Sequence, residues 1–140
     1  MPRGPLPGLG SLTTLVGRVE AAGLPVELDL RGEPRPLPQG LDPAAYRIVQ
    51  ESLTNCLKHA RASRAWVIVD FGPDAVRTTI RDDGTAAADA LSNGQGLDGM
   101  RERVAVFGGE LSAGPRPEGG FEVRARFPTP AADTTAGARP

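Results

Sequence analysis

The chain has a single cysteine, Cys56, so no internal disulfide can form and no thiolate metal cluster exists. It has a single histidine, His59. Neither sign of charge is in surplus. The net charge is −1, whereas a dedicated nucleic-acid binder needs a basic excess to neutralise phosphates, so no nucleic-acid partner is expected. Long apolar runs are missing too: none approaches the roughly 20 residues needed to cross a bilayer. The opening "MPRGPLPGLG" lacks the apolar middle of a signal peptide. These absences make a cytoplasmic protein the simplest expectation.

What is present is ordinary for a globular chain. Of 140 residues, 39% are hydrophobic and 24% charged, which is one domain's worth with enough apolar surface for a core without staples. Residues 1–10 and 129–140 are rich in Pro, Gly and small polar residues. Neither end can bury enough to offset ordering entropy, so both are expected to be loose around a domain spanning 11–128.

Between those ends the patterns alternate. "SLTTLVGRVEAAG" places Leu12, Leu15, Val16 and Val19 at helical spacing, with Ser11 as the expected cap and Gly23 as the stop. "PVELDL" alternates as a strand. A long helix is expected from Asp42, as cap, to His59, with Pro43 at the first helical position. "RAWVIVDF" and "AVRTTIRD" read as two strands, "DGTAAADALSNGQG" as a long loop, "LDGMRERVAVF" as a third helix and "GELSAG" and "FEVRARF" as a final strand pair. This order predicts an α/β two-layer sandwich, with helices on one face of a largely antiparallel sheet.

The long helix carries two faces. At about 100° per residue, Glu51, Asn55, Lys58 and His59 share one arc. Tyr46, Val49, Leu53, Cys56, Leu57 and Ala60 form the expected core stripe. Cys56 reads as a small buried filler. Asn55 contributes little to a merely solvated helix, which singles out its face. "RDDG" falls where a strand ends, so either Asp82 or Asp83 can accept a hydrogen bond from a ligand amine while Gly84 lets the backbone turn. "NGQGLDGM" sets Gly94 and Gly96 before a helix, and glycines at that point turn backbone N–H groups toward an anion. It is neither the dinucleotide fingerprint, for want of a leading strand and a third glycine, nor a Walker loop, for want of Gly-Lys-Ser/Thr.

Together and in this order, "YRIVQESLTNCLKHA", "RDDG" and "GQGLDGMRERV" resemble the ATP-binding catalytic domain of bacterial sensor histidine kinases. That domain has the Bergerat fold, shared with certain chaperones and mismatch-repair proteins. The likeness covers Leu41 to Pro128 and is strongest to the subfamily paired with NarL-type response regulators. The resemblance implies a Bergerat-type sheet, and ATP and Mg²⁺ as cofactors. Glu51 corresponds to the glutamate that polarises the attacking group, and Asn55 to the asparagine whose amide oxygen holds the metal. Lys58 and His59 correspond to positions facing the phosphates. Asp82 aligns with the acceptor of the adenine amine, with Gly84 beside the base. Gly94, Gly96 and Leu97 form the end of the lid near the phosphates. For Arg101, one turn into that helix, a phosphate contact and a surface role both stand open.

Relatives usually write the first glycine motif as Asp-x-Gly-x-Gly, whereas "DDGTA" puts Ala86 at the second glycine and removes ready access to positive φ there. The family's dimerisation hairpin, with its phosphoacceptor histidine, has no counterpart in this chain. The resemblance therefore implies a catalytic domain acting on a histidine supplied elsewhere, with a response regulator downstream. The alternatives are a stand-alone nucleotide-dependent binding module and an anti-sigma-type serine kinase. Without the hairpin a monomer is expected.

Overall fold

The structure is a computed structural model, and it describes residues 8–59, 62–84 and 95–130. The side chain of His59, together with Ala60, Ala86, Gly94 and residues 1–7 and 131–140, lies outside the described residues. Helix α1 (Leu12–Ala21) leads to β1 (Val26–Gly32), α2 (Leu41–His59), β2 (Ala65–Phe71), β3 (Ala75–Asp82), α3 (Gln95–Ala105), β4 (Glu110–Pro115) and β5 (Phe121–Pro128). The five strands form one sheet in the order β1-β2-β3-β5-β4. Strands β1 and β2 run parallel, from Val26 opposite Ala65 to Gly32 opposite Phe71, and every other pairing is antiparallel. Among the described residues the three helices pack on one face, which is the expected two-layer α/β arrangement.

The packing follows the periodicities. Strands β2 and β5 alternate, and Val67, Val69, Val123, Ala125 and Phe127 point under the helices. They meet Ile48, Val49 and Leu53 of α2 and Met100 and Val104 of α3, all fully buried. Phe107 stands edge-on to Phe127 at 6.0 Å between ring centroids, a favoured aromatic geometry. Helix α1 ends in a Schellman motif: the Gly23 N–H bonds to the Glu20 carbonyl and the Leu24 N–H to that of Val19. Gly23 supplies the φ of +114° that this turn requires.

Several local expectations give way to tertiary contacts. Ser11 makes no side-chain cap; a 3-10 turn over Leu9–Ser11 enters α1 instead. Asp42 does not cap α2, which already begins at Leu41, and its Oδ1 accepts the Leu9 N–H at 2.9 Å. That bond and the burial of Leu9 extend the packed structure into the segment expected to be loose. At the other end Thr129 is tied down by the Arg35 guanidinium at 2.7 Å and the Asp74 carbonyl at 2.9 Å. Leu57, placed in the core stripe by spacing, is 37% exposed, because the stripe drifts around α2 and Ser52 takes an inner position instead. Helix α3 begins at Gln95, so Gly96 lies inside its first turn rather than before it, and Phe107 falls in the turn beyond it.

Candidate functional site

Helices α2 and α3 enclose a cleft of about 560 Å³ between them. Gln50, Glu51, Thr54 and Asn55 line it from α2, and Gly96, Gly99, Met100 and Arg103 from α3. Below it, the helices are joined by the Ser52 hydroxyl, which donates to the Met100 sulfur at 3.8 Å. Helical spacing explains the wall on α2: Glu51 and Asn55 are one turn apart, and the core residues Val49, Leu53 and Cys56 fix that face outward.

Glu51 is held by cations. Arg103 Nη1 lies 3.2 Å from its Oε1, and Arg47, one turn earlier on the same helix, is 3.9 Å from its Oε2. Arg101 faces away from the cleft and pairs with Asp98 at 3.8 Å on the exposed side of α3. The arginine that enters the cleft is thus Arg103, which the sequence reading missed. Gln50, Thr54, Gly99 and Met100 were missed as well.

Asp82 ends β3 beneath the C-terminal half of α2 and is 3% exposed. Its Oδ1 accepts the Gly84 N–H at 2.7 Å, and its Oδ2 accepts the Cys56 thiol at 3.4 Å. Among the described residues no cation pairs with this carboxylate. Arg116 comes near but donates to the Asp82 backbone carbonyl at 2.9 Å and lays its guanidinium over Trp66. Burial, with the Asp82 charge adding to it, pushes the Cys56 thiol far above its usual range. Gly120, at φ +95°, allows the β4–β5 turn to approach the Asp82 carbonyl, and a Cβ there would collide with it.

The two aspartates differ in their surroundings. Asp83 is exposed, and its Oδ1 accepts the Ser63 and Arg64 N–H groups at 2.8 and 3.0 Å. The Ser63 hydroxyl bonds to its other oxygen and, as the largest influence, holds the Asp83 carboxyl below the ordinary aspartate range. Asp83 therefore fastens the connection into β2, and Asp82 is the inward-facing carboxylate.

Of the other expected site residues, Glu51, Asn55 and Gly96 share the cleft, and Gly84 is buried beside Asp82. Lys58 is exposed on the last turn of α2 and does not line the cleft. Leu97 turns its side chain into the core. His59 is placed only as the last residue of α2, and Gly94 is not described.

A cleft between two helices on one face of a mixed sheet, with a buried carboxylate at a strand end, defines a class of nucleotide-binding ATPase domains. Residues 40–131 match the family described as histidine kinase-, DNA gyrase B-, and HSP90-like ATPase, and the chain belongs to that family. It is 36% identical over 123 residues to the sensor histidine kinase YxjM of Bacillus subtilis, covering 86% of this chain and 30% of that protein. With the nitrate/nitrite sensor protein NarX of Escherichia coli it shares 34% identity over 107 residues, 75% of this chain and 18% of NarX. The chain thus spans less than a third of either relative. Its fold is similar to that of the blue-light activated histidine kinase of Erythrobacter litoralis, with a TM-score of 0.66 at 22% identity, covering 87% of this chain and 42% of that one. The ATP binding domain of PrrB from Mycobacterium tuberculosis gives 0.60 at 24% identity, over 86% of this chain and 95% of that one. Among the described residues no helix is long and apolar enough to cross a membrane.

Proposed function

We propose that this chain is the Mg·ATP-binding catalytic domain of a sensor histidine kinase. It transfers the γ-phosphoryl group of ATP to a histidine on a dimerisation domain outside this chain, and a response regulator receives the signal downstream. The observation that carries this reading is Asp82, a carboxylate at 3% exposure with no cation paired to it among the described residues. A dry carboxylate without a counter-charge is costly. The exocyclic amine of adenine offers a further donor to it. The relatives named sensor histidine kinases support this chemistry over a serine kinase or a binding module.

Each residue then has a task. Asp82 accepts from the base, with Gly84 beside it. Asn55, in the cleft wall, offers a hard amide oxygen of the kind Mg²⁺ prefers. No group of three or more His, Cys, Asp or Glu able to hold a metal occurs among the described residues, which suits an ion that arrives with the triphosphate. When bound, the ion neutralises phosphate charge. Glu51 orients the acceptor imidazole while Arg47 and Arg103 fix its carboxylate. The acceptor nitrogen bonds to the γ-phosphorus as the bond to the bridging oxygen breaks and ADP leaves. Gly96 and the backbone of Leu97 are assigned to the phosphates from the start of α3. Lys58, which does not line the described cleft, is assigned there with His59 and Gly94 by the family resemblance alone.

A Mg·ATP titration of the wild type beside Asn55→Ala and Asp82→Ala tests the site. Asn55→Ala should abolish the magnesium-dependent part of binding. Asp82→Ala should weaken binding roughly tenfold to a hundredfold, since a charge-assisted hydrogen bond contributes about 1.5–3 kcal/mol. Unchanged binding in both variants would rule the site out. Labelled ATP with a separately supplied histidine-bearing hairpin tests the reaction, and binding without any phosphotransfer would count against it.

A further inference from the structure

Cys56 first reads as a core filler, and its burial at 6% exposure fits that. Its neighbours show more. It follows Asn55 on α2, so one helical step separates the cleft wall from a side chain pointing beneath it. From there its sulfur reaches the Asp82 Oδ2 at 3.4 Å, and the Gly84 N–H holds Oδ1 at 2.7 Å. Both contacts are buried. We infer that Cys56 is a positioning residue for the base-reading carboxylate: its S–H, with the Gly84 N–H, fixes the plane of Asp82 and so sets selectivity for a purine with a 6-amino group. This rests on the assignment of Asp82 to the base.

The chemistry is consistent. A carboxylate has about four acceptor positions, and one donor on each oxygen leaves a second position on each for a ligand. Two donors on different oxygens also stop rotation about the last side-chain bond, which is otherwise broad. Burial raises the thiol's proton affinity, so Cys56 stays protonated and remains a donor across the physiological range. Sulfur suits the position because a thiol is cheap to bury in the apolar core, and its hydrogen bond is weak enough to leave Asp82 a strong acceptor.

The test compares two triphosphates within each variant: ATP, and purine riboside triphosphate, which lacks the 6-amino group. Because the comparison is internal, any loss of folded protein cancels. Cys56→Ala should weaken ATP about fivefold, the scale of one net hydrogen bond, and change the deaminated analogue less than twofold. Cys56→Ser, which restores a donor, should stay within twofold of the wild type for both. Equal losses for the two ligands in Cys56→Ala, or a serine variant no better than alanine, would reduce Cys56 to packing and overturn the inference. Wild-type protein that binds both triphosphates equally well would instead remove the base-reading role of Asp82, and with it the ligand contact that Cys56 is inferred to serve.

Discussion

Arg103 shows what a single side chain adds that local pattern does not disclose. It lies 52 positions from Glu51 in the chain, and its guanidinium makes the contact of 3.2 Å that joins α3 to the candidate catalytic carboxylate. Arg101 and Arg103 flank the buried stripe of Leu97, Met100 and Val104 on opposite sides, about 160° apart on a helical wheel. Nothing local says which flank faces α2; packing decides it. Because Arg103 fixes Glu51, its loss should act on chemistry more than on binding. Arg103→Met is expected to lower single-turnover phosphotransfer on the order of a hundredfold, the usual cost of a small misplacement at a reacting centre. Its ATP affinity should stay within about twofold, well under the effect of losing one net hydrogen bond. A loss of ATP affinity as large as the loss in rate would reassign Arg103 to the phosphates.

At the scale of elements, the sequence was most readable where a period of 2.0 or 3.6 persists. Among the described residues, the five strands and three helices lie where alternation and helical spacing put them. Burial of one face generates the pattern in the inner strands, whereas the edge strands β1 and β4 bury little and Leu30 is 52% exposed. The errors sit at ends, where a side chain chooses between its own helix and a distant partner, as Asp42 chooses Leu9. The orientation of the two aspartates was legible. Strand alternation puts Asp82 on the face of Ile80, Thr78 and Val76, all buried, and carries Asp83 out of the strand. Asp83 then stabilises the start of β2 through Ser63. Its carboxyl titrates lower when folded than when unfolded, chiefly through the Ser63 hydroxyl. The stabilisation is therefore complete above the unfolded value and disappears as the pH falls through the folded one. Ser63→Ala should raise the acid-unfolding midpoint, read by circular dichroism, while leaving neutral-pH ATP binding unchanged. A midpoint equal to the wild type would show that the backbone N–H groups alone hold Asp83.

At the scale of the whole molecule, the fold class followed from the order of elements, because helices alternating with a single strand and then strand pairs can bury their apolar faces in few ways. The site was legible only in part. Glu51 and Asn55 share a helix face by local spacing, but the Cys56–Asp82 contact spans 26 positions and exists only once α2 lies over β3. A site assembled by the fold should in turn stabilise the fold when filled. A ligand held only by the native state adds about 2.7 kcal/mol at a hundred times its dissociation constant, which for a domain of this size raises the melting temperature by roughly 10 °C. Mg·ATP should produce that rise in the wild type and not in Asp82→Ala at the same concentration. Leu15→Ala provides the contrast. Leu15 is buried on α1 and does not line the cleft. Its truncation should cost about 2–5 kcal/mol, yet preserve the nucleotide-dependent rise almost whole, because distant sites add independently. If the increment vanished in Leu15→Ala and survived in Asp82→Ala, the nucleotide would be bound somewhere that does not involve Asp82.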